Sequence, residues 1–329
     1  MALIFKKFLC FCRRYLVFFL LLFSLVLLTV NARLSASFLD GLNLFITSVL
    51  PALFPYLFLT AILSGLSATT KIASAFSPLF NVAFKTNGMV SYAFLMSIIS
   101  GYPIGSKTVS DLYQNKILSH TEAVRASVLC STSSPAFLIS CVGNFMFKST
   151  LFGALIYAVN VISAITVGVL YRFYKPNEKP TLKKSSISVI KYDNLIYDTV
   201  YSSVISTLIV GALISLFYLF TEALVSLNVL TPIINGLSFI FKDEFLAKGV
   251  TFGLFEYTKG LKTIASSSIK LLSLPSACFL SSFGGLCVLT QSAVYLKKAK
   301  IKIAPFLLAK ILSAILSFVL GLILSFLFF

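Results

Sequence analysis

Long apolar stretches separated by short polar segments run through the whole chain. The clearest ones cover residues 15–30, 38–66, 151–171, 195–220 and 305–328. A helix needs about 20 mainly apolar residues to cross the hydrocarbon core of a bilayer. The pattern therefore predicts an all-α polytopic membrane protein, with the lipid bilayer as its principal partner and about eight or nine membrane segments.

Several apolar stretches in the first half are interrupted. Residues 38–66 contain Pro51 and Pro55, which tend to kink a helix because proline lacks a backbone N–H. Residues 89–99 form only half a span and end in SGYPIGSK, residues 100–107. Such backbone is tolerated at membrane depth only where it packs on protein or lines a cavity. We therefore predict a re-entrant or interrupted helix, with a loop at the membrane interface as the alternative, and a second break at residues 131–135.

The second half repeats this layout. The segment GLFEYTKG, residues 253–260, carries its glycine and lysine at the offsets seen in the first half, 152 residues after Gly101 and Lys107. Residues 275–282 with Gly284 and Gly285 echo residues 135–138 with Gly143. Four similar elements in the same order favour a diverged internal duplication.

Composition and charge agree with a membrane protein. The chain is 58% hydrophobic and only 11% charged, which excludes a soluble enzyme, yet it carries a net charge of +17. Because Lys and Arg concentrate in cytoplasmic loops, the excess indicates orientation and not nucleic-acid binding. It predicts a cytoplasmic N-terminus and a cytoplasmic basic linker at residues 172–194. The two halves would then be inverted with respect to each other, as in many secondary transporters.

The breaks contain the candidate substrate-binding residues. Charge inside a membrane is costly, so the three charges in the repeated segments (Lys107, Glu256 and Lys259) are functional candidates, although each lysine can instead extend to the membrane surface. Hydroxyl groups and unwound backbone suit solute recognition, although Ser and Thr also pack helices. The full set is Ser100, Gly101, Tyr102, Pro103, Gly105, Ser106, Lys107, Ser133, Ser134, Glu256, Thr258, Lys259, Ser281, Ser282 and Gln291. We expect Gln291 to bond between helices, and Lys310 to extend to the membrane surface.

Catalytic chemistry has little support. The chain contains one histidine, and its six cysteines show no metal-ligand spacing. Zinc-protease, P-loop and nucleophile-elbow motifs do not occur. We therefore expect no enzymatic activity, no metal site and no cofactor.

Four segments carry a family resemblance: LPALFP at residues 50–55, SGYPIGSK at 100–107, GLFEYTKG at 253–260, and FGGLC at 283–287 with Gln291. Together they resemble the sporulation integral membrane protein family called YlbJ, of the nucleoside-recognition or Gate-domain group, from about residue 38 to the C-terminus. The basic residues before the apolar run at 15–30 predict an N-terminal signal-anchor span at 1–37, with a cleaved signal peptide as the alternative. The resemblance implies Gate-type repeats at 38–171 and 195–329, and a place in the membrane of a spore former.

The resemblance also implies transport of a small polar, anionic solute such as dipicolinate, or of a nucleoside-like solute. The rival hypothesis is a non-transporting membrane scaffold or accessory subunit. The residues leave open whether a coupling ion is carried and whether the chain forms a homo-oligomer.

Overall fold

A computed structural model describes residues 31–65, 68–175 and 195–328 of the chain. The signal-anchor span predicted at residues 1–37 and the linker predicted at 172–194 lie largely outside the described residues. In the described ranges the secondary structure is helical, as predicted, and contains no strand.

Most helices of the first half are short. In chain order they are α1 (Asn31–Leu44), α2 (Leu50–Gly65), α3 (Ala68–Ala83), α4 (Met89–Ser100), α5 (Ile104–Gln114), α6 (His120–Leu129) and α7 (Thr150–Leu170). Two π-helical segments join this series, π1 (Phe45–Val49) between α1 and α2, and π2 (Ala136–Met146) between α6 and α7. Among the described helices of the first half, only α7 is long enough to cross a membrane without a bend.

The second half has longer outer helices around a short inner set. They are α8 (Leu195–Ser226), α9 (Thr231–Phe241), α10 (Glu244–Phe255), α11 (Tyr257–Ile264), α12 (Lys270–Phe283), α13 (Gly285–Lys298) and α14 (Ile303–Phe328).

The chain breaks where the sequence predicts. The segment Ala32–Val49 is bent by 54° against Leu53–Leu59. Pro51 lies between them, where a residue without an N–H removes a helical hydrogen bond. Gly101 ends α4 with φ +75, a conformation that glycine adopts without steric cost.

The second half is interrupted at two points. Glu256 is extended between α10 and α11, with φ −136 and ψ 106. Gly284 lies between α12 and α13 in the left-handed region, with φ +84. The α12–α13 pair still passes as one membrane span, Lys270–Lys298.

The described residues contain four helices that are long and apolar enough to span a membrane, or five if the bent pair forms one span. Three shorter apolar helices are half-length: Met89–Ser100, Ala136–Met146 and Thr231–Phe241. The architecture is therefore that of a multi-pass α-helical membrane protein. Its large apolar side chains divide between a central core and an outer face, where α14 exposes Leu308, Ile311 and Ile315 as a lipid-facing helix does.

The central core joins both halves. One buried cluster includes Tyr102 and Phe137 from the first half together with Tyr257 and Leu280 from the second. The rings of Phe137 and Tyr257 lie 5.3 Å apart. The breaks in the two halves are therefore packed against each other at the centre of the protein.

Candidate functional site

A small internal cavity lies where the breaks of the two halves meet. Its volume is about 40 Å³. The polar residues of its wall are Ser100, Tyr102, Ser133, Ser134, Glu256, Tyr257, Thr258 and Gln291, and Val49, Leu53, Phe137, Val210, Ile214 and Val288 complete it. A space of this size holds a few water molecules or a small ion, and small-molecule pockets are several hundred Å³.

Close backbone contact forms the first-half side of the cavity. Gly101 packs so tightly that a Cβ would lie 2.5 Å from the backbone nitrogen of Ser134. Gly105 has no room for a side chain either, because a Cβ would collide with the carbonyl oxygen of Cys130. Pro103, the N-cap of α5, connects the two glycines. The break after α4 is thus held against the break after α6.

The serines of the second break hold its unwound backbone. The Ser134 hydroxyl accepts a hydrogen bond from the Phe137 N–H at 3.2 Å, which caps the start of π2. The Ser133 N–H donates to Asn160 Oδ1 at 3.0 Å. Both serines also form part of the cavity wall.

Glu256 is the charged residue of the cavity wall. It is fully buried and acts as the N-cap of α11. Its Oε2 accepts hydrogen bonds from the Lys259 N–H at 2.7 Å and from the Thr258 hydroxyl. Its Oε1 has no hydrogen-bond partner within the described residues, and the same holds for the hydroxyl of Ser100, another residue of the cavity wall.

Lys310 lies beside the cavity, contrary to the sequence prediction that it extends to the membrane surface. It is 3% exposed, and its Nζ donates to the Tyr102 hydroxyl at 2.6 Å and to the Ser131 carbonyl at 3.4 Å. The ammonium also sits 4.4 Å from the centre of the Tyr102 ring. The prediction was wrong because Lys310 follows the start of α14 by seven residues, about 10 Å along the helix. That depth was the signal available in the sequence.

Asn160 on α7 is the second residue that sequence reasoning missed. Besides Ser133, its amide binds the second half, where Nδ2 donates to the Ser281 carbonyl and to the Ser282 hydroxyl, each at 3.1 Å. Tyr102 donates its own hydroxyl hydrogen to the same Ser281 carbonyl at 3.2 Å. An asparagine within an apolar helix was the signal that this position is buried.

Ser281 and Ser282 therefore contribute to contacts between the halves. The Ser282 hydroxyl lies 2.6 Å from the Ser317 hydroxyl of α14, which in turn donates to Ser163 of α7 at 2.8 Å. These serines join helices and are outside the cavity wall.

The remaining predicted residues have other surroundings. Lys107 donates to the Ser206 hydroxyl on α8 at 3.3 Å, and the Ser106 carbonyl accepts a hydrogen bond from Ser110. Gln291 lines the cavity, but its amide donates to Cys287 of its own helix at 3.3 Å and not to another helix as predicted.

Lys259 is not part of the cavity wall. Its Nζ lies 3.4 Å from a carboxylate oxygen of Glu222 and about 5 Å from the rings of Tyr218 and Phe252 (5.2 and 5.1 Å). This environment supplies a counter-charge and two aromatic faces, so the lysine is stabilised within the protein. The breaks thus bring Glu256 and Lys310 to the centre and leave Lys107 and Lys259 at the periphery.

A wider polar crevice lies further along α11. We call it the vestibule. It has a volume of about 440 Å³ and is lined by Asp40, Asn43, Leu44, Thr47, Ser48, Cys141, Phe145, Met146, Lys262, Ala265 and Ser266. The cavity touches Thr258 of α11 and the vestibule touches Lys262, four residues or about 6 Å further along the helix.

Comparison with known proteins finds a similar membrane protein. It is 27% identical over 322 residues to the sporulation integral membrane protein YlbJ of Bacillus subtilis (strain 168), covering 91% of this chain and 79% of that protein. The chain is therefore similar to YlbJ, in agreement with the resemblance carried by its sequence motifs. No family model matches the chain, and no solved structure matches it. The relative is described as an integral membrane protein, and the membrane-length helices and exposed apolar surface of this chain agree with a multi-pass membrane protein.

Proposed function

We propose that this YlbJ-type chain is a secondary transporter of a small polar, anionic solute, dipicolinate-like or nucleoside-like, linked to sporulation. The observation that carries the proposal is the central cavity, whose wall contains residues from the breaks of both halves. Unwound backbone at membrane depth is tolerated where it lines such a cavity, and transporters place their sites between repeats in this way.

An inverted repeat is supported by the contact between α7 and α14. Equivalent residues of two units related by a two-fold axis meet where they lie on that axis. Ser163 and Ser317, 154 residues apart, meet at 2.8 Å, and the repeated glycines Gly101 and Gly253 are 152 residues apart. The two spacings differ by two residues, so the contact lies close to the pair that the repeat makes equivalent without coinciding with it.

An anionic solute is favoured by the positive groups beside the cavity. The N-termini of α5 and α11 both begin at the breaks, and a helix N-terminus carries partial positive charge. The buried ammonium of Lys310 adds a full positive charge next to Tyr102. Together these groups would attract an anionic solute to the Tyr102 side of the cavity.

Transport requires a change of shape. The cavity of about 40 Å³ is too small for a solute of these classes, whereas the vestibule of about 440 Å³ is within the usual range of small-molecule sites. Val49, Leu53 and Phe137 belong to the cavity wall on the π1 to π2 side that also borders the vestibule. Their separation would join the two spaces during alternating access.

The charge pattern sets the proposed orientation. The basic linker and N-terminus would be cytoplasmic, which places the α7 start, the α11 end and the vestibule on the opposite side. The membrane would be the cell membrane or, in a spore former, the forespore membrane.

Uptake by proteoliposomes tests the proposal. We expect reconstituted protein to take up radiolabelled dipicolinate or a nucleoside faster than protein-free vesicles, and we expect Glu256→Ala to abolish the difference. Lys248→Ala is the matched control, because Lys248 pairs with Glu244 on the surface of α10. If wild-type protein and Glu256→Ala both give the flux of protein-free vesicles, the scaffold hypothesis replaces the transport proposal for these solutes.

A further inference from the structure

We propose that the central cavity is a binding site for one sodium ion, held by Glu256 Oε1 and the Ser100 hydroxyl. The coupling role of this site rests on the proposed transport function, whereas the binding itself does not.

The carboxylate of Glu256 lacks a counter-charge. Its side chain is 0% exposed, and none of the ion pairs formed by the described residues includes it. The nearby Lys259 ammonium pairs with Glu222 instead. A buried charge within a membrane protein is very costly unless it is paired, so a cation bound at Glu256 would stabilise the carboxylate.

The geometry of the carboxylate leaves one oxygen for that cation. Oε2 accepts from the Lys259 N–H and the Thr258 hydroxyl, which fixes the orientation of the group. Oε1 has no hydrogen-bond partner in the described part of the chain, and neither does the Ser100 hydroxyl. Both residues belong to the wall of the same small cavity. Two buried, unpartnered oxygens on residues of one cavity wall are groups that a bound ion would satisfy.

The chemistry of the wall favours an alkali cation. Its polar groups are hydroxyl, amide and carboxyl groups, and hard cations bind oxygen ligands. Only one of them carries a negative charge, and the described residues contain no group of three His, Cys, Asp or Glu side chains that suits a divalent metal. One carboxylate neutralises one monovalent ion.

The ends of two helices beside the cavity also favour a bound cation. The C-terminus of α4 ends at Ser100 and that of α10 ends beside Glu256, and the C-terminal end of a helix carries partial negative charge. Half-helix C-termini and unwound carbonyl groups coordinate coupling ions in other transporters with broken helices. The cavity volume of about 40 Å³ accepts an ion with one or two waters.

An occupied site would link the ion to the solute. Without a cation, the Glu256 carboxylate repels an anion that enters the cavity, and a bound sodium ion removes this repulsion. Binding of either one then strengthens binding of the other by the same factor.

Thermal unfolding of the purified full chain in detergent tests binding without any transport. A thiol-reactive dye reports unfolding, because Cys130, Cys141, Cys278 and Cys287 are buried and free. Sodium chloride should raise the midpoint by about 2 to 4 °C at ten times the dissociation constant, relative to choline chloride of equal ionic strength. Glu256→Gln should abolish the shift, Ser100→Ala should move it to higher sodium concentration, and the surface variant Glu244→Gln should leave it unchanged.

Three other outcomes would overturn the sodium site, and a fourth would reject only its coupling role. Equal stabilisation by choline or potassium would show an ionic-strength effect, and an unchanged sodium shift in both Glu256→Gln and Ser100→Ala would place the ion elsewhere. Stabilisation by low pH without sodium dependence would make the ligand a proton. A sodium shift in a protein that transports neither dipicolinate nor nucleosides would retain the site and reject only its coupling role.

Discussion

The breaks of the two halves have the same layout but carry different groups. The first break contributes uncharged hydroxyls at Ser100 and Tyr102, whereas the second contributes the carboxylate of Glu256. Each half also accepts a hydrogen bond from a residue of the opposite half. Lys310 of α14 reaches Tyr102 in the first half, and Asn160 of α7 reaches Ser281 in the second.

This exchange of partners gives the centre of the protein different groups on its two sides. The backbone breaks are set by glycine, proline and hydroxyl residues in both halves, while the charges that distinguish the halves come from side chains of crossing helices. Substitution of the closely packed glycines should therefore destabilise both halves to a similar extent. Removal of the central charges should reduce function more than it reduces stability.

The largest expected effect tests the common layout. Gly105→Ala and Gly260→Ala should each destabilise the protein by about 3 kcal/mol, since the added methyl group meets backbone that cannot move aside. At Gly105 the obstacle is the Cys130 carbonyl, and at Gly260 it includes the Gly249 carbonyl at 2.6 Å. The midpoint of thermal unfolding in detergent measures the loss.

Gly236→Ala is the matched control for these two variants, because a Cβ at Gly236 meets nothing within 4 Å. It should leave the unfolding midpoint unchanged or raise it, as alanine favours helix. A large loss at Gly105 with none at Gly260 would show that the close packing of the two halves is not equivalent.

Removal of the Lys310 charge tests the difference between the breaks. Lys310→Met keeps the volume of the side chain and leaves the Tyr102 hydroxyl its acceptor at the Ser281 carbonyl. Because an unpaired buried ammonium is costly, we expect stability to change by less than about 1 kcal/mol or to rise. Uptake of an anionic solute by proteoliposomes should nevertheless fall to the protein-free level.

Lys302→Met provides the control for Lys310→Met, since Lys302 is exposed just before α14. It should retain full uptake. Severe destabilisation by Lys310→Met would instead make the lysine a structural residue, and unchanged uptake would remove it from the transport mechanism.

The sequence predicted the breaks more successfully than the contacts between the halves. Glycine, proline and clustered hydroxyls are unfavourable inside an apolar helix, so the breaks at residues 100–107 and 131–135 can be predicted from the local sequence alone. The order of the helices could be predicted for the same reason.

Contacts between distant helices leave a weaker signal. Lys310 and Asn160 reach partners 208 and 121 residues away. The local sequence pattern does not indicate which helix packs against which break. A lysine near the end of a span is also compatible with extension to the membrane surface. Only the packing of α7 and α14 against the breaks separates these possibilities.

A smaller effect is expected from the uncharged partner. Asn160→Ala removes three hydrogen bonds and leaves the buried Ser133 N–H without its acceptor, so we expect a loss of about 2 kcal/mol in the free energy of unfolding. Asn144→Ala is the matched control, because Asn144 is exposed and bonds only to Thr150 in the described chain. Equal unfolding midpoints for the two variants would show that Asn160 does not hold the halves together.

The smallest expected effect compares the starts of α4 and α10, the helices that precede the breaks at Gly101 and Glu256. The charged side chain of Asp243 caps α10 through the Leu246 N–H at 2.8 Å. At the start of α4 the neutral side chain of Asn87 accepts from the Met89 N–H, and the Glu122 carboxylate accepts from the Asn87 N–H. Desolvation alone would raise the pKa of the Asp243 carboxyl, but hydrogen bonds from Leu246, Ser267 and Ser268 hold the pKa below its ordinary value of 3.8.

A carboxyl whose pKa is lower in the folded protein stabilises it above the unfolded pKa and loses this contribution as the pH falls through the folded pKa. Asp243→Asn keeps a capping oxygen but removes the charge, so it should cost about 0.5 kcal/mol near neutral pH. Unfolding followed by far-UV circular dichroism should show the difference between wild type and variant vanishing below the ordinary carboxyl pKa. Asn87→Ala should lower stability by the same amount at neutral pH and below the ordinary carboxyl pKa, since the side chain that it removes carries no charge. A pH-independent stability difference between wild type and Asp243→Asn would show that the charge of Asp243 does not stabilise α10.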